Sequence, residues 1–176
     1  ELTQDELRAF KLSEPGQLAR EILLKDFELL KAHGASPVLN VIKHYERDDA
    51  YLFFPTDVYS FHVDRSAIPT DTFLCTYQGD SSEILPNSEA IQKILVPEIR
   101  TELKKLYGGA EEGFNAFLTE YFFDLHYQAK SGARPVALGQ GNLWKLAVDH
   151  SESCALPCLH RAPKEKNDQV RLLMIC

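Results

Sequence analysis

Strand-like sequence on both sides of a long helical stretch is the feature that most limits the fold of this chain. Residues 88–131 read as two helical segments separated at Gly108-Gly109, and short segments rich in β-branched and aromatic residues come before and after them. Residues 1–34 are also helical in pattern. The order is therefore helices, strands, helices, strands, which predicts an α+β domain whose strands come from both halves of the chain.

The expected architecture is a single α+β domain of residues 1–176. A helical layer occupies residues 1–34, a β core combines residues 36–86 with 135–176, and a helical insertion covers about 88–131. An antiparallel sandwich or jelly roll fits such a β core best. Segments that are distant in sequence then meet in space, so a functional site can draw residues from both halves.

Composition limits the partners of the protein. The chain has 176 residues, 44% of them hydrophobic, and a net charge of −7. An acidic protein is a poor match for phosphate backbones, so duplex nucleic acid is not an expected partner. No apolar run approaches the roughly 20 residues of a membrane span. Four cysteines are too few for a disulfide framework, which favours reduced thiols in a cytoplasmic protein. The oligomeric state and what precedes Glu1 stay open.

Three histidines are followed two positions later by an acidic residue, in the pairs His44/Glu46, His62/Asp64 and His150/Glu152. Composition alone gives about one such pair by chance, so the spacing is weak evidence. Residues i and i+2 of a strand share a face, where two side chains are close enough to bind one ion. His62 and Asp64, in FHVDR, lie among aromatic residues that indicate burial. The other two pairs lie in charged or loop-like sequence.

The C-terminal segment offers further residues for the same site. CLHRAP places His160 at the end of one apolar strand, and VRLLMIC places Arg171 at the start of the next, after the polar turn KEKND. A hairpin would direct both side chains inward. His62, Asp64 and His160 would then form the two-histidine, one-carboxylate triad of non-haem Fe(II) oxygenases. The planar guanidinium of Arg171 suits bidentate binding of a carboxylate.

A competing set of metal ligands lies in VDHSESCALPCLH. It contains His150, Cys154, Cys158 and His160, and two thiolates with two imidazoles are a zinc set. The single Cys-x3-Cys lacks the paired spacing of zinc knuckles, so the triad with His62 is favoured and zinc is kept as an alternative metal. His126, in FFDLHYQ, is interpreted as a histidine on a helix.

The sequence also resembles known proteins. An HxD pair, a long gap, and a histidine followed shortly by an arginine resemble the signature of the 2-oxoglutarate/Fe(II)-dependent oxygenase superfamily, whose fold is the double-stranded β-helix, a cupin-like jelly roll. ALGQGNLWKLAV resembles the strand that precedes the distal histidine in that superfamily. More narrowly, FHVDR, FLCTYQGDSSEILP and LHRAP with VRLLMIC resemble a bacterial family catalogued as a domain of unknown function. The resemblance covers residues 58–86 and 136–176. SSEIL and WKL depart from that family's pattern, which bears mainly on the substrate.

The resemblance implies a role for each matching residue. His62, Asp64 and His160 would bind Fe(II), and Arg171 would bind the distal carboxylate of 2-oxoglutarate with help from the hydroxyl of Tyr77. The predicted function is a dioxygenase that oxidises a C–H bond of an unknown small-molecule or protein substrate. One alternative is a non-enzymatic, cupin-like module for metal binding or metal homeostasis. A second is a structural or interaction domain with a vestigial site.

Overall fold

Two antiparallel β-sheets and four α-helices make up the computed structural model, which describes residues 1–47, 50–164, 166 and 169–176. The helices are α1 (Gln4–Ala9), α2 (Glu14–Ala32), α3 (Pro97–Tyr107) and α4 (Glu111–Glu120). Three short 3-10 helices cover Asn87–Glu89, Lys93–Leu95 and Phe123–Leu125. Among the residues described, no helix combines the length and the apolar character that a membrane span requires.

Ten strands are divided between the two sheets. They are β1 (Val38–Ile42), β2 (Phe61–His62), β3 (Asp71–Gln78), β4 (Glu83–Leu85), β5 (Ala90–Gln92), β6 (His126–Ala129), β7 (Val136–Ala137), β8 (Trp144–Ala147), β9 (Leu159–Arg161) and β10 (Arg171–Ile175). One sheet has the order β1-β10-β3-β8, and the other, curled into a half-barrel, has the order β5-β6-β2-β9-β4-β7. Both sheets mix strands from the two halves of the chain, so the predicted mixed fold is confirmed.

The N-terminal helices cover the outer face of the four-stranded sheet. Thr3 starts α1 with a capping box, in which its side chain accepts from the Glu6 backbone and the Glu6 carboxylate accepts in return. One face of α2 is apolar at helical spacing, and its buried residues pack on Leu39 of β1 and Met174 of β10. Both faces of the four-stranded sheet are therefore covered, one by helices and one by the second sheet.

The segment predicted as a helical insertion is helical only in its middle. Helices α3 and α4 lie there, and α3 ends at Gly108, whose φ of 63° is a left-handed conformation that glycine adopts without strain. Both ends of the segment are strands instead, because β5 pairs with β6 and β6 pairs with β2. His126 therefore begins a strand and does not lie on a helix. Segments this short have too few residues for their periodicity to separate strand from helix.

The strand predicted through DAYLFFPTDVYSFHVDR is also shorter than expected. Only Phe61–His62 is a strand, and residues 50–60 consist of turns and bends, with the Ser60 amide donating to the Asp57 carbonyl. Proline at position 55 has no amide hydrogen to give to a sheet, which explains the break. Asp49, part of that prediction, lies outside the described residues, as do positions 165, 167 and 168 of the predicted KEKND turn.

Candidate metal centre and adjoining cavity

A cavity of about 700 Å³ opens between the inner faces of the two sheets. Because strand residues alternate between faces, side chains two residues apart in β10, at Arg171, Leu173 and Ile175, point into it. The four-stranded sheet contributes Asn40, Ile42, Leu74, Arg171, Leu173 and Ile175, and the other side contributes His62, Asp64, Ser82 and His160. The cavity thus has a largely aliphatic wall opposite a cluster of histidine and carboxylate.

Three histidines form a row across the half-barrel. His62 of β2 is opposite His126 of β6 on one side and opposite His160 of β9 on the other. The ring centroid of His62 is 4.5 Å from that of His160 and 5.8 Å from that of His126. The prediction that His62 and His160 face one site is therefore supported by direct strand pairing. His126 also lies next to His62, which its predicted position on a helix did not indicate.

His62, Asp64 and His160 could hold a metal ion. One ligand atom from each of the three lies within 4.8 Å of the others, and His160 Nε2 is 3.8 Å from Asp64 Oδ2. Metal–ligand bonds of about 2.1 Å place adjacent ligand atoms about 3 Å apart, so modest side-chain rotations would bring the three atoms onto one ion. Two imidazoles and a carboxylate suit Fe(II) or Zn²⁺.

Both histidines of the cluster present the same nitrogen to the cavity. Nδ1 of His62 donates to the Ser60 carbonyl at 2.8 Å, and Nδ1 of His160 donates to the Cys158 carbonyl at 3.2 Å. A carbonyl only accepts, so Nδ1 carries the proton and Nε2 keeps its lone pair for a metal. Burial, followed by the nearby His160, lowers the pKa of His62, which favours the neutral ring that coordination requires.

Asp64 is held in place from its side chain and from its backbone. Thr72 Oγ1 donates to Asp64 Oδ2 at 2.6 Å, and the Asp64 carbonyl accepts from the Asp149 amide. Next to it, Arg65 donates from Nε to Asp149 and from Nη2 to Asp124, at 2.9 and 2.8 Å. Arg65 thus anchors the loop that carries Asp64, and Thr72 orients the carboxylate itself.

Arg171 is a buried cation with neutral partners. It is 6% exposed, its Nη1 donates to the Tyr45 hydroxyl at 2.7 Å, and its Nη2 donates to the hydroxyls of Thr76 and Ser82 at 3.0 and 2.8 Å. Its Nε has no hydrogen-bond partner, and no ion pair joins Arg171 to an acid within the described part of the chain. Burial is the main cause that lowers the pKa of Arg171. Asp80 attracts the guanidinium without forming an ion pair with it. A buried charge without a directly paired counter-ion is costly, so this arrangement favours an anionic ligand.

Tyr77 points away from Arg171, contrary to its predicted role. Its hydroxyl donates to Asp26 Oδ2 of α2 at 2.6 Å, on the helix-covered face of β3. Burial raises the pKa of Tyr77, so the hydroxyl stays protonated as a donor. Thr76 and Ser82 supply the hydroxyls beside Arg171 instead. Strand alternation explains the difference, because neighbouring residues of β3 face opposite sides.

The competing zinc set does not assemble. Cys154 is exposed and its thiol lies near the Glu152 carbonyl, while His150 Nδ1 accepts from the Glu152 amide in an exposed turn. The triad of His62, Asp64 and His160 is the only group of three or more histidine, cysteine or acidic side chains with converging ligand atoms in the ranges that the structure describes.

Comparison of the chain with protein-family models, with curated proteins and with solved structures finds no significant match. The chemistry of the cavity is therefore the basis for inferring what the protein does.

The corrected position of Tyr77 leads to a simple expectation. Tyr77→Phe should lower the free energy of unfolding by about 1 to 2 kcal/mol, because Asp26 loses a hydrogen bond at a half-buried position. The binding of 2-oxoglutarate that the sequence resemblance implies should not change in this variant, whereas Thr76→Val should weaken it, since Thr76 contacts Arg171. Urea unfolding and calorimetric titration measure the two effects. If both variants lost affinity for 2-oxoglutarate equally, Tyr77 would have the role first predicted for it, beside the distal carboxylate.

Proposed function

We propose that the protein is an Fe(II)- and 2-oxoglutarate-dependent oxygenase with a double-stranded β-helix core, which oxidises a C–H bond of its substrate. One observation carries the proposal. A two-histidine, one-carboxylate cluster and a buried arginine without an acidic partner line the same cavity. A metal site alone needs no such arginine, whereas a cosubstrate with two carboxylate groups does.

The strand arrangement supports the proposed fold. Strands β1, β3, β8 and β10 belong to one sheet, and β2, β4, β5, β6, β7 and β9 belong to the other. Near both ends of the β region the chain therefore passes from one sheet to the other at each successive strand. That alternation, with two antiparallel sheets face to face and one of them curled, is how a jelly roll is wound. The site lies inside it, between the sheets.

The donor set fits a metal that must stay open to other ligands. Three protein ligands on one side of a six-coordinate ion leave adjacent positions for a cosubstrate and oxygen. With Fe(II) bound, the centre would supply oxidative decarboxylation of the oxo acid coupled to oxidation of the substrate. His62 and His160 offer Nε2 to the ion, and Thr72 fixes the carboxylate of Asp64.

Arg171 fits the distal carboxylate of 2-oxoglutarate. A guanidinium binds a carboxylate in bidentate fashion, and the hydroxyls of Thr76 and Ser82 lie against the same group. The aliphatic side chains of Leu74, Leu173 and Ile175 line the cavity near this position. They exclude water, which strengthens the electrostatic interaction between arginine and carboxylate.

The proposal is tested by adding 2-oxoglutarate to the Fe(II)-loaded protein without oxygen. Chelation of the iron should produce a new charge-transfer absorption in the visible range, and admission of oxygen should convert 2-oxoglutarate to succinate. Glutarate has the same two carboxylates but no oxo group, so it should produce neither signal. A protein that binds Fe(II) but whose absorption does not respond to 2-oxoglutarate would instead be a metal-binding module.

A further inference from the structure

A second cavity, of about 370 Å³, lies on the other face of β2 and β6. Phe61 and Tyr127 line it, and these residues alternate with His62 and His126, which face the inside of the half-barrel. The side chains of Arg47, Lys93 and Arg161 also line this cavity. None of these five residues belongs to the candidate metal centre, so this cavity is a site distinct from it.

Lys93 is the unusual group in this cavity. Its Nζ donates to Ser60 Oγ at 2.6 Å and to the Pro55 carbonyl at 3.1 Å, and it lies 5.0 Å from the centre of the Phe54 ring. No acidic side chain forms an ion pair with Lys93 in the described ranges. Burial lowers its pKa to about 8, against an attraction to Asp57 that acts in the opposite direction.

These contacts serve both the ammonium, which the Phe54 ring attracts, and the neutral amine. A neutral amine has two N–H groups and one lone pair, and the two oxygen acceptors of Ser60 and Pro55 match the two N–H groups. The lone pair is then left for a reaction partner. Desolvation of lysine without a carboxylate partner is one of the ways in which proteins make it a nucleophile.

Two guanidinium groups give the cavity a preference for anions. Arg47 stacks on Tyr59, and Arg161 stacks on Phe61, each with its guanidinium carbon 4.3 Å from the ring centre. Both are also paired, Arg47 with Asp57 at 3.4 Å and Arg161 with Glu83 at 2.6 Å. With Lys93 neutral, the two guanidinium charges are balanced by Asp57 and Glu83, but each guanidinium has five N–H donors and only one acidic partner. Donors therefore remain for a small anion that enters beside the amine.

We propose that Lys93 is a covalent modification site that forms an imine with anionic aldehydes. The amine nitrogen adds to the carbonyl carbon, and a C–N bond forms. The resulting carbinolamine loses the former carbonyl oxygen as water, together with the two hydrogens of the amine, to give C=N. The step needs no oxidant, reductant or metal, so it is independent of the function proposed for the inner cavity.

Labelling with pyridoxal 5′-phosphate, trapped by cyanoborohydride and mapped by peptide mass spectrometry, tests the proposal. At pH 8 about half of an amine with a pKa of about 8 is neutral, against less than about 1% of an ordinary lysine. Lys93 should therefore be labelled about tenfold faster than the exposed Lys11 and Lys25, after allowance for its lower basicity. Its rate should level off above pH 8, whereas the rate of an amine with the ordinary pKa of lysine continues to rise there.

Two comparisons make the test decisive. Arg47→Gln should slow the reaction of Lys93 with pyridoxal 5′-phosphate several-fold and leave its reaction with pyridoxal, which has no phosphate, unchanged. Arg47 is largely exposed, so this variant should fold normally. The proposal is overturned if Lys93 is labelled no faster than Lys11. It is also overturned if Arg47→Gln changes the labelling rate of Lys93 by the same factor with pyridoxal 5′-phosphate as with pyridoxal. Fe(II) and 2-oxoglutarate should have no effect on the labelling.

Discussion

His160→Ala is expected to abolish specific metal binding by the folded protein. His160 supplies one of three converging ligand atoms, and a carboxylate and one imidazole cannot replace it. The affinity for Fe(II) should fall by at least about 100-fold, since loss of a mere supporting residue around a metal ligand already costs 10- to 100-fold. Calorimetric titration under nitrogen measures the affinity, and circular dichroism verifies that the variant is folded.

The chain offers matched controls for this prediction. His150→Ala removes a half-buried histidine of another His-x-acid pair, outside the converging set, and should leave the affinity for Fe(II) unchanged. Cys154→Ala should also be without effect, because the thiol is exposed and remote from any converging set among the described residues. If Cys154→Ala weakened metal binding as much as His160→Ala, the zinc set of the C-terminal segment would be the true site.

Arg171→Gln is expected to remove the binding of 2-oxoglutarate and to leave the affinity for Fe(II) intact. Hydrogen bonds between charged groups contribute about 1.5 to 3 kcal/mol each, so losing two of them weakens binding by about 100-fold or more. Arg171→Lys keeps the charge but loses the planar fork and the contacts to Tyr45, Thr76 and Ser82 that orient it. The affinity of Arg171→Lys for 2-oxoglutarate should lie between those of the unaltered chain and of Arg171→Gln.

The measurement for Arg171 is a titration of 2-oxoglutarate into Fe(II)-loaded protein, followed by calorimetry and by the visible absorption of the iron. Arg134→Gln is the control, since Arg134 is an exposed arginine outside the cavity. Unchanged affinity in Arg171→Gln would show that the buried guanidinium has only a structural role. The cavity would then be a metal site without this cosubstrate.

The convergence of His62, Asp64 and His160 was predictable from sequence because it rests on simple strand geometry. His160 lies in β9 and pairs with His62 of β2, as expected of apolar strands in one β core. Asp64 lies just beyond β2, yet its carboxylate converges with the two histidines as the two-residue period predicts. The long helices were predictable for a similar reason, since α2 shows a clear apolar face over five turns.

The hydroxyl groups around Arg171 could not be predicted, because no local sequence pattern marks the residues that supply them. Strand β3 has helices on one face and the cavity on the other, so its residues do not alternate between apolar and polar, and nothing in DTFLCTYQ separates Thr76 from Tyr77. Tyr45 and Ser82 reach Arg171 from outside the strands. Their positions follow from tertiary packing, which local sequence does not encode.

A metal ion bound at the candidate site would be linked to the stability of the fold through the single residue pair between β2 and β9. His62 and His160 are opposite each other there, although about one hundred residues separate them along the chain, and α3 and α4 lie within that loop. An ion held by both side chains would act as a reversible cross-link that closes this loop. Because the ligands converge only in the folded chain, the ion binds that state selectively and raises the melting temperature with its concentration. The supply of that ion would then set how much folded protein persists.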